Sequence, residues 1–244
     1  ISVDVNGRIE AFILDAVNQW GSVVKVGPGE LAGRLGSPVT FDWRGQVLWL
    51  TSFGDGVGTV KTMSDGTGAG VSIDPEYSLT EGFSLKLLAG SDDDRYAMAY
   101  GYTGVPLASR IGISIAVAGY CERTSIALRA RNGAARHMGT IHYTWATGRI
   151  EYQLPTGLYT TLSFKPMYGS ASVFNRLKLS IDVGTQKYIR FMINHTQYNL
   201  SAEDLYSDAG GFDGTMEFEI ETLGRAAVND YQLLDHIILT VNEP

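Results

Sequence analysis

The sequence predicts an all-β fold, an antiparallel two-sheet β-sandwich with at most one or two short helices. Three observations carry this. Leu177-Lys-Leu-Ser-Ile-Asp-Val183 alternates apolar and polar residues without a break, a period of two that puts Leu177, Leu179, Ile181 and Val183 on one face of a strand. The same pattern recurs in Met216–Ile220 and Arg110–Val117, and strand-like segments return about every ten residues with turn chemistry between them. Glycine occurs 29 times, where average usage of roughly 7% gives about 17 in this length, so many tight turns are expected.

Taken in order, the expected strands are Ile9–Leu14, Val23–Val26, Val39–Trp43, Val47–Thr51, Val57–Met63, Phe83–Ala89, Tyr96–Tyr102 and Ile111–Val117. The series continues with Ile126–Arg131, Thr140–Trp145, Ile150–Leu154, Thr160–Phe164, Leu177–Val183, Tyr188–Asn194, Met216–Thr222 and Leu233–Val241. Each is a short run rich in β-branched and aromatic residues. Asn132-Gly133, Thr147-Gly148, Asp182-Val-Gly184 and Asn194-His-Thr-Gln197 fall between them as hairpin joints. Helical periodicity is nearly absent; Ser201-Ala-Glu-Asp204 alone has the residues to cap one helical turn.

Composition bounds the function. A chain of 244 residues is long enough to bury a real core without covalent staples. Cys121 is the sole cysteine, which rules out an intrachain disulfide and a thiolate zinc site. With 19 Lys and Arg against 26 Asp and Glu, the formal charge is −7 and the cations are scattered, which argues against nucleic acid. The longest apolar runs fall well short of the roughly 20 residues of a membrane helix, so membrane insertion is not expected. The chain opens Ile-Ser-Val-Asp, with neither initiator Met nor a basic and apolar leader, so processing or excision from a longer chain is expected. The Gly-rich zone from Gly54 to Gly70 marks the clearest shift in composition. Residues 1–50 are therefore read as an N-terminal β extension packed on, or continuous with, a sandwich spanning 51–244.

Three segments carry a resemblance. Ser78-Leu-Thr-Glu-Gly-Phe-Ser-Leu-Lys-Leu87 and Leu234-Asp-His-Ile-Ile-Leu-Thr240 resemble the first and last core strands of jelly-roll carbohydrate-binding modules. Leu177–Asp182, followed by Lys187-Tyr-Ile-Arg-Phe191 and Tyr198-Asn-Leu200, resembles the paired strands of concanavalin A-like and laminin G-like sandwiches. The resemblance covers roughly residues 50–242. In such modules a structural calcium often bridges the early strand and an Asp of the last strand, and the matching position here is Asp235. The usual second acid or amide is His236 in this chain.

Candidate chemistry is sparse. Glu217, Glu219 and Glu221 share one strand face at a spacing of about 6.5–7 Å, which invites a glycosidase reading, although an alternating acidic strand is ordinarily a wet outer face. Asp92-Asp93-Asp94 reads as a solvated hairpin tip. The four histidines show no metal-ligand spacing, and no nucleophile elbow or phosphate loop is present. Aromatic residues are more suggestive, because the apolar face of a sugar ring stacks on Tyr and Trp. Tyr100, Tyr102 and Trp145 are the expected sugar-stacking strip.

The leading expectation is a non-catalytic recognition module that binds carbohydrate on a secreted or surface-displayed protein, with a glycan as partner. The alternative is a structural subunit of a virion or cell-surface assembly, whose partners are neighbouring subunits or further copies of itself. A glycan-cleaving enzyme built from carboxylates distant in sequence is the third.

Overall fold

The period-two runs become two antiparallel sheets in the computed structural model, which describes residues 2–3, 9–10, 45–54, 56–79, 82–90, 95–104, 108–132, 135–209, 215–225 and 230–244. The chain divides into two compact units, Ile1–Trp43 and Arg44–Pro244. In the first, β1 (Ser2–Val3) pairs antiparallel with β2 (Ile9–Glu10). The second begins with β3 (Gln46–Thr51), β4 (Lys61–Asp65), β5 (Gly70–Asp74), β6 (Ser84–Gly90), β7 (Tyr96–Gly104) and β8 (Arg110–Tyr120). It continues through β9 (Arg123–Asn132), β10 (Ala135–Thr144), β11 (Arg149–Gln153), β12 (Tyr159–Phe164) and β13 (Asn175–Asp182). It closes with β14 (Lys187–Ile193), β15 (Thr196–Asn199), β16 (Tyr206–Asp208), β17 (Thr215–Leu223) and β18 (Asp230–Val241).

The first sheet has the order β12-β11-β10-β9-β17-β7-β4, with β16 paired to β10 at Arg136–Met138. The second has the order β15-β14-β13-β8-β18-β6-β5, with β3 also on β18. Neither closes into a barrel, so the molecule is an all-β sandwich. Ile126, Leu128, Ile141, Ile150, Phe218 and Ile220 of the first sheet face Leu177, Leu179, Ile181, Ile113 and Ile115 of the second across one continuous core. Gly139 marks a close approach: a Cβ there would lie 2.6 Å from Ile181 Cγ2, so a larger residue would force the neighbouring groups to shift. Tyr188, buried beside it, accepts the Thr140 amide at 3.0 Å and donates to the Gln153 carbonyl at 3.0 Å, tying one sheet to the other.

Most expected strands are present, and β1, β5, β15 and β16 are additional ones. The expected Val57–Met63 strand starts only at Lys61, because a turn closes on the bond from the Val60 amide to the Val57 carbonyl. Ser201–Asp204 forms turns instead of a helical turn: Asn199 Oδ1 accepts the Ser201 amide, and the Glu203 amide donates to the Leu200 carbonyl. The segments Val23–Val26, Val39–Trp43 and Asp92–Asp94 lie outside the described residues, as does most of Ile9–Leu14. β3, which straddles the expected boundary at residue 50, pairs with the end of β18. Among the described residues no helix is long and apolar enough to cross a membrane.

Alternation predicts a wet outer face for β13, and here the structure differs. Lys178 and Ser180 are fully buried like their apolar neighbours. Glu243 supplies the reason. Its carboxylate, also buried, lies 2.9 Å from Lys178 Nζ and 2.7 Å from Arg190 Nη2, and it accepts hydrogen bonds from Ser180 and Thr240. Gly112 leaves room for it, since a Cβ there would come within 2.6 Å of Glu243 Oε1.

Candidate functional site

Asp235 sits where β18 changes partners. Residues 230–234 pair with β6, residues 237–241 pair with β3, and a bulge against β8 falls between Asp235 and Ile238, with His236 at φ 50°. The fully buried Asp235 carboxylate accepts the His236 amide on Oδ1 and the Leu79 amide on Oδ2, both at 2.7 Å. A carboxylate inside a protein needs such partners. It pins the bulge and the loop before β6. Calcium takes six to eight oxygens. Among the described residues no group of three or more His, Cys, Asp or Glu side chains comes together, and the two Asp235 oxygens already accept backbone amides.

The expected aromatic strip is not formed as a unit. Trp145 is 6% exposed, donates from Nε1 to Thr124 Oγ1 at 2.8 Å, and meets the Tyr143 ring edge-on at 5.3 Å. It belongs to the core because it shares the inward parity of Ile141 and Tyr143. Trp145→Phe is therefore expected to cost about 1–2 kcal/mol through the lost indole bond, measured by urea unfolding, with ligand affinity unchanged. Tyr100 and Tyr102 stand on the opposite face of the first sheet, directly across from Glu219 and Glu217 on β17. Tyr102 is 61% exposed and carries Lys61 over its ring at 4.3 Å.

That outward face holds a groove of about 470 Å³. Its floor and walls come from alternate residues of five strands: Arg123, Ser125, Ala127 and Arg129 of β9, Met138, Thr140 and His142 of β10, Glu151 of β11, Tyr159 of β12, and Glu219 and Glu221 of β17. On β9, β10, β11 and β17 these residues alternate with buried ones, so the pleat that buries Ile126, Leu128 and Ile141 also presents the groove. Glu219 and Glu221 are thus walls of a depression rather than a solvated ridge.

The groove is ordered by its own contacts. Arg129 Nη1 lies 2.9 Å from Glu219 Oε2. The pair is partly exposed and worth about 0–1 kcal/mol, so it fixes geometry more than stability. Arg149 Nη2 reaches Glu151 Oε2 at 3.3 Å. His142 stacks under Tyr159 with ring centroids 3.8 Å apart and planes at 16°. Burial, with Arg123 nearby, pushes the His142 imidazole down to about 3, so it is neutral at pH 7. Burial, reinforced by Glu219, raises Glu221 above the usual carboxylate range, against the pull of Arg123 and Arg129. Arg123 Nε is buried and makes no hydrogen bond among the described residues.

No protein-family model matches the chain, and no curated protein sequence matches it. Solved structures do. A Bacillus subtilis protein of unknown function with a galectin-like fold is similar at TM-score 0.50 and 10% identity, over 81% of this chain and 96% of that one. The chain shares its antiparallel two-sheet jelly-roll sandwich with that galectin-like fold. Peanut lectin with a nine-residue peptide is similar at TM-score 0.49 and 10% identity, over 79% and 95% of the two chains. A carbohydrate esterase of the Shiga toxin-encoding bacteriophage phi24B is similar at TM-score 0.48 and 14% identity, over 82% and 100%.

Sequence reasoning missed Arg123, Arg129, His142, Glu151 and Tyr159. The signal was in the pattern: in Arg123–Arg129 and Thr140–Thr144 the polar parity is the one opposite Ile126 and Ile141. Trp145, the more conspicuous residue of β10's end, pointed to the inward face.

Proposed function

We propose that the protein binds carbohydrate in this groove, as a recognition module of a secreted, cell-surface or virion protein. The observation that carries the reading is the lining itself. Guanidinium donors, carboxylate acceptors and a neutral imidazole surround an aromatic ring, and the buried Arg123 Nε still lacks a partner. Sugar hydroxyls donate and accept at once, and a sugar's C–H face packs on an aromatic ring. Tyr159, 38% exposed at the groove wall, offers that ring. Tyr100 and Tyr102 prolong the same face towards β4, where further sugar units of a chain would lie.

Calorimetry against a panel of oligosaccharides tests this. Binding is expected in the parent, with Tyr159→Ala and Arg123→Ala each weakening it at least about tenfold, near 1.4 kcal/mol. Undiminished binding by both variants would remove the groove from the account. Release of reducing ends during the titration would turn the reading to glycan cleavage, with Glu221 as the proton donor favoured by its raised pKa.

A further inference from the structure

We infer that the groove selects uncharged saccharides, holding sugar hydroxyls between the Arg123 guanidinium and the Glu221 carboxylate and turning away ligands that present a carboxylate or sulfate there. This rests on the sugar-binding reading of the same groove. The remaining charges are already committed, Arg129 to Glu219 at 2.9 Å and Glu151 to Arg149 at 3.3 Å. Arg123 and Glu221 attract one another without a hydrogen bond between them. Arg123 Nε is buried without a hydrogen-bond partner, and Glu221 accepts no hydrogen bond from the described residues. One group can only donate, and an ionised carboxylate can only accept. A hydroxyl completes both, accepting from the guanidinium and giving its proton to the carboxylate.

An anionic ligand cannot do this. A carboxylate or sulfate would satisfy Arg123 while lying against Glu219 and Glu221 with no proton to give them. The lining holds three carboxylates, Glu151, Glu219 and Glu221, against two guanidiniums, Arg123 and Arg129, so its own charge is not positive. His142 is the residue that would tip the balance if protonated. Its burial beneath Tyr159 keeps it neutral at pH 7. Like charges placed together across an interface suppress the wrong partner more than they weaken the right one.

The test is an array of neutral hexose oligosaccharides beside their 6-O-sulfated and C6-carboxylated counterparts, read at pH 7 and followed by calorimetry on matched pairs. Charged forms are expected to bind the parent at least about tenfold more weakly than neutral ones. Glu221→Gln, which keeps shape and removes charge, is expected to narrow that ratio below about threefold, and Arg123→Lys to weaken neutral ligands. Parent binding of charged and neutral forms with equal strength overturns the selectivity while leaving sugar binding intact, as does an unchanged ratio in Glu221→Gln. Binding of neither class overturns the sugar-binding reading and this inference with it.

Discussion

Replacing Glu243 with alanine is expected to cost about 3–5 kcal/mol of folding stability, although the residue lies next to the end of the described chain. Its carboxylate is the counter-charge for two buried cations, at 2.9 Å to Lys178 Nζ and 2.7 Å to Arg190 Nη2. Lys178 is fully buried and Arg190 is 4% exposed, so neither can turn to water when the anion is removed. An uncompensated buried charge is far costlier than the ion pair is favourable, and that asymmetry sets the size of the effect. Glu243→Gln is expected to fall between parent and alanine, since the amide keeps an acceptor and loses the charge. Denaturant unfolding measures both. A loss below about 1 kcal/mol for Glu243→Ala, the range of an exposed pair, would show that the cluster is solvated in solution.

Acid is expected to unfold the protein through its buried imidazoles. Burial, then Arg123, holds His142 down to about 3, and burial, then Arg176, holds His236 down to about 4. The 3.8 Å approach of His236 to Asp235 is too long for a hydrogen bond and does not offset this. Unfolded histidine takes up a proton near pH 6.5, which the folded state refuses. The resulting stability is full above about pH 6.5 and is lost as pH falls towards the folded values. For His142 alone the loss is about 1.4 kcal/mol per pH unit, roughly 3 kcal/mol by pH 4.5. Glu221 acts in the other direction, because its raised pKa returns stability on acidification. Comparing the parent with His142→Gln cancels that contribution. The slope of unfolding free energy against pH between 6 and 4 is expected to be shallower in the variant by about 1.4 kcal/mol per unit. Parallel slopes would mean that His142 is hydrated and charged in the folded protein.

The fold was legible because strand parity is a local property. Leu177, Leu179 and Ile181 declare an inward face from seven consecutive residues, and the hairpin joints at Thr147-Gly148 and Asn194-His195 appear where β10 meets β11 and β14 meets β15. Parity does not say what happens on the other face. Lys178 and Ser180 looked solvent-facing until the Glu243 carboxylate, more than sixty positions later, was seen against them. Asp235 stood out in the sequence as the position that matches a calcium-bridging Asp of jelly-roll modules; in the structure its buried carboxylate accepts the Leu79 and His236 amides, contacts that composition does not reveal.

The groove was illegible for a related reason. It needs β17 beside β9, two strands whose paired residues are about ninety positions apart, as in Glu219 against Ala127. Before that pairing is known, Arg129 and Glu219 are two unrelated surface charges. Once it is known they are an ion pair at the wall of a depression. Tyr159 and His142 likewise look ordinary until β12, β11 and β10 lie side by side.

The most direct measurement of the central claim is a crystal structure of the protein with a neutral oligosaccharide. The account predicts sugar density on the outer face of the first sheet, packed on Tyr159, with hydroxyl oxygens about 3 Å from Arg123 and Glu221. A saccharide seated on the loops or on the second sheet, with the groove holding only water, would contradict it.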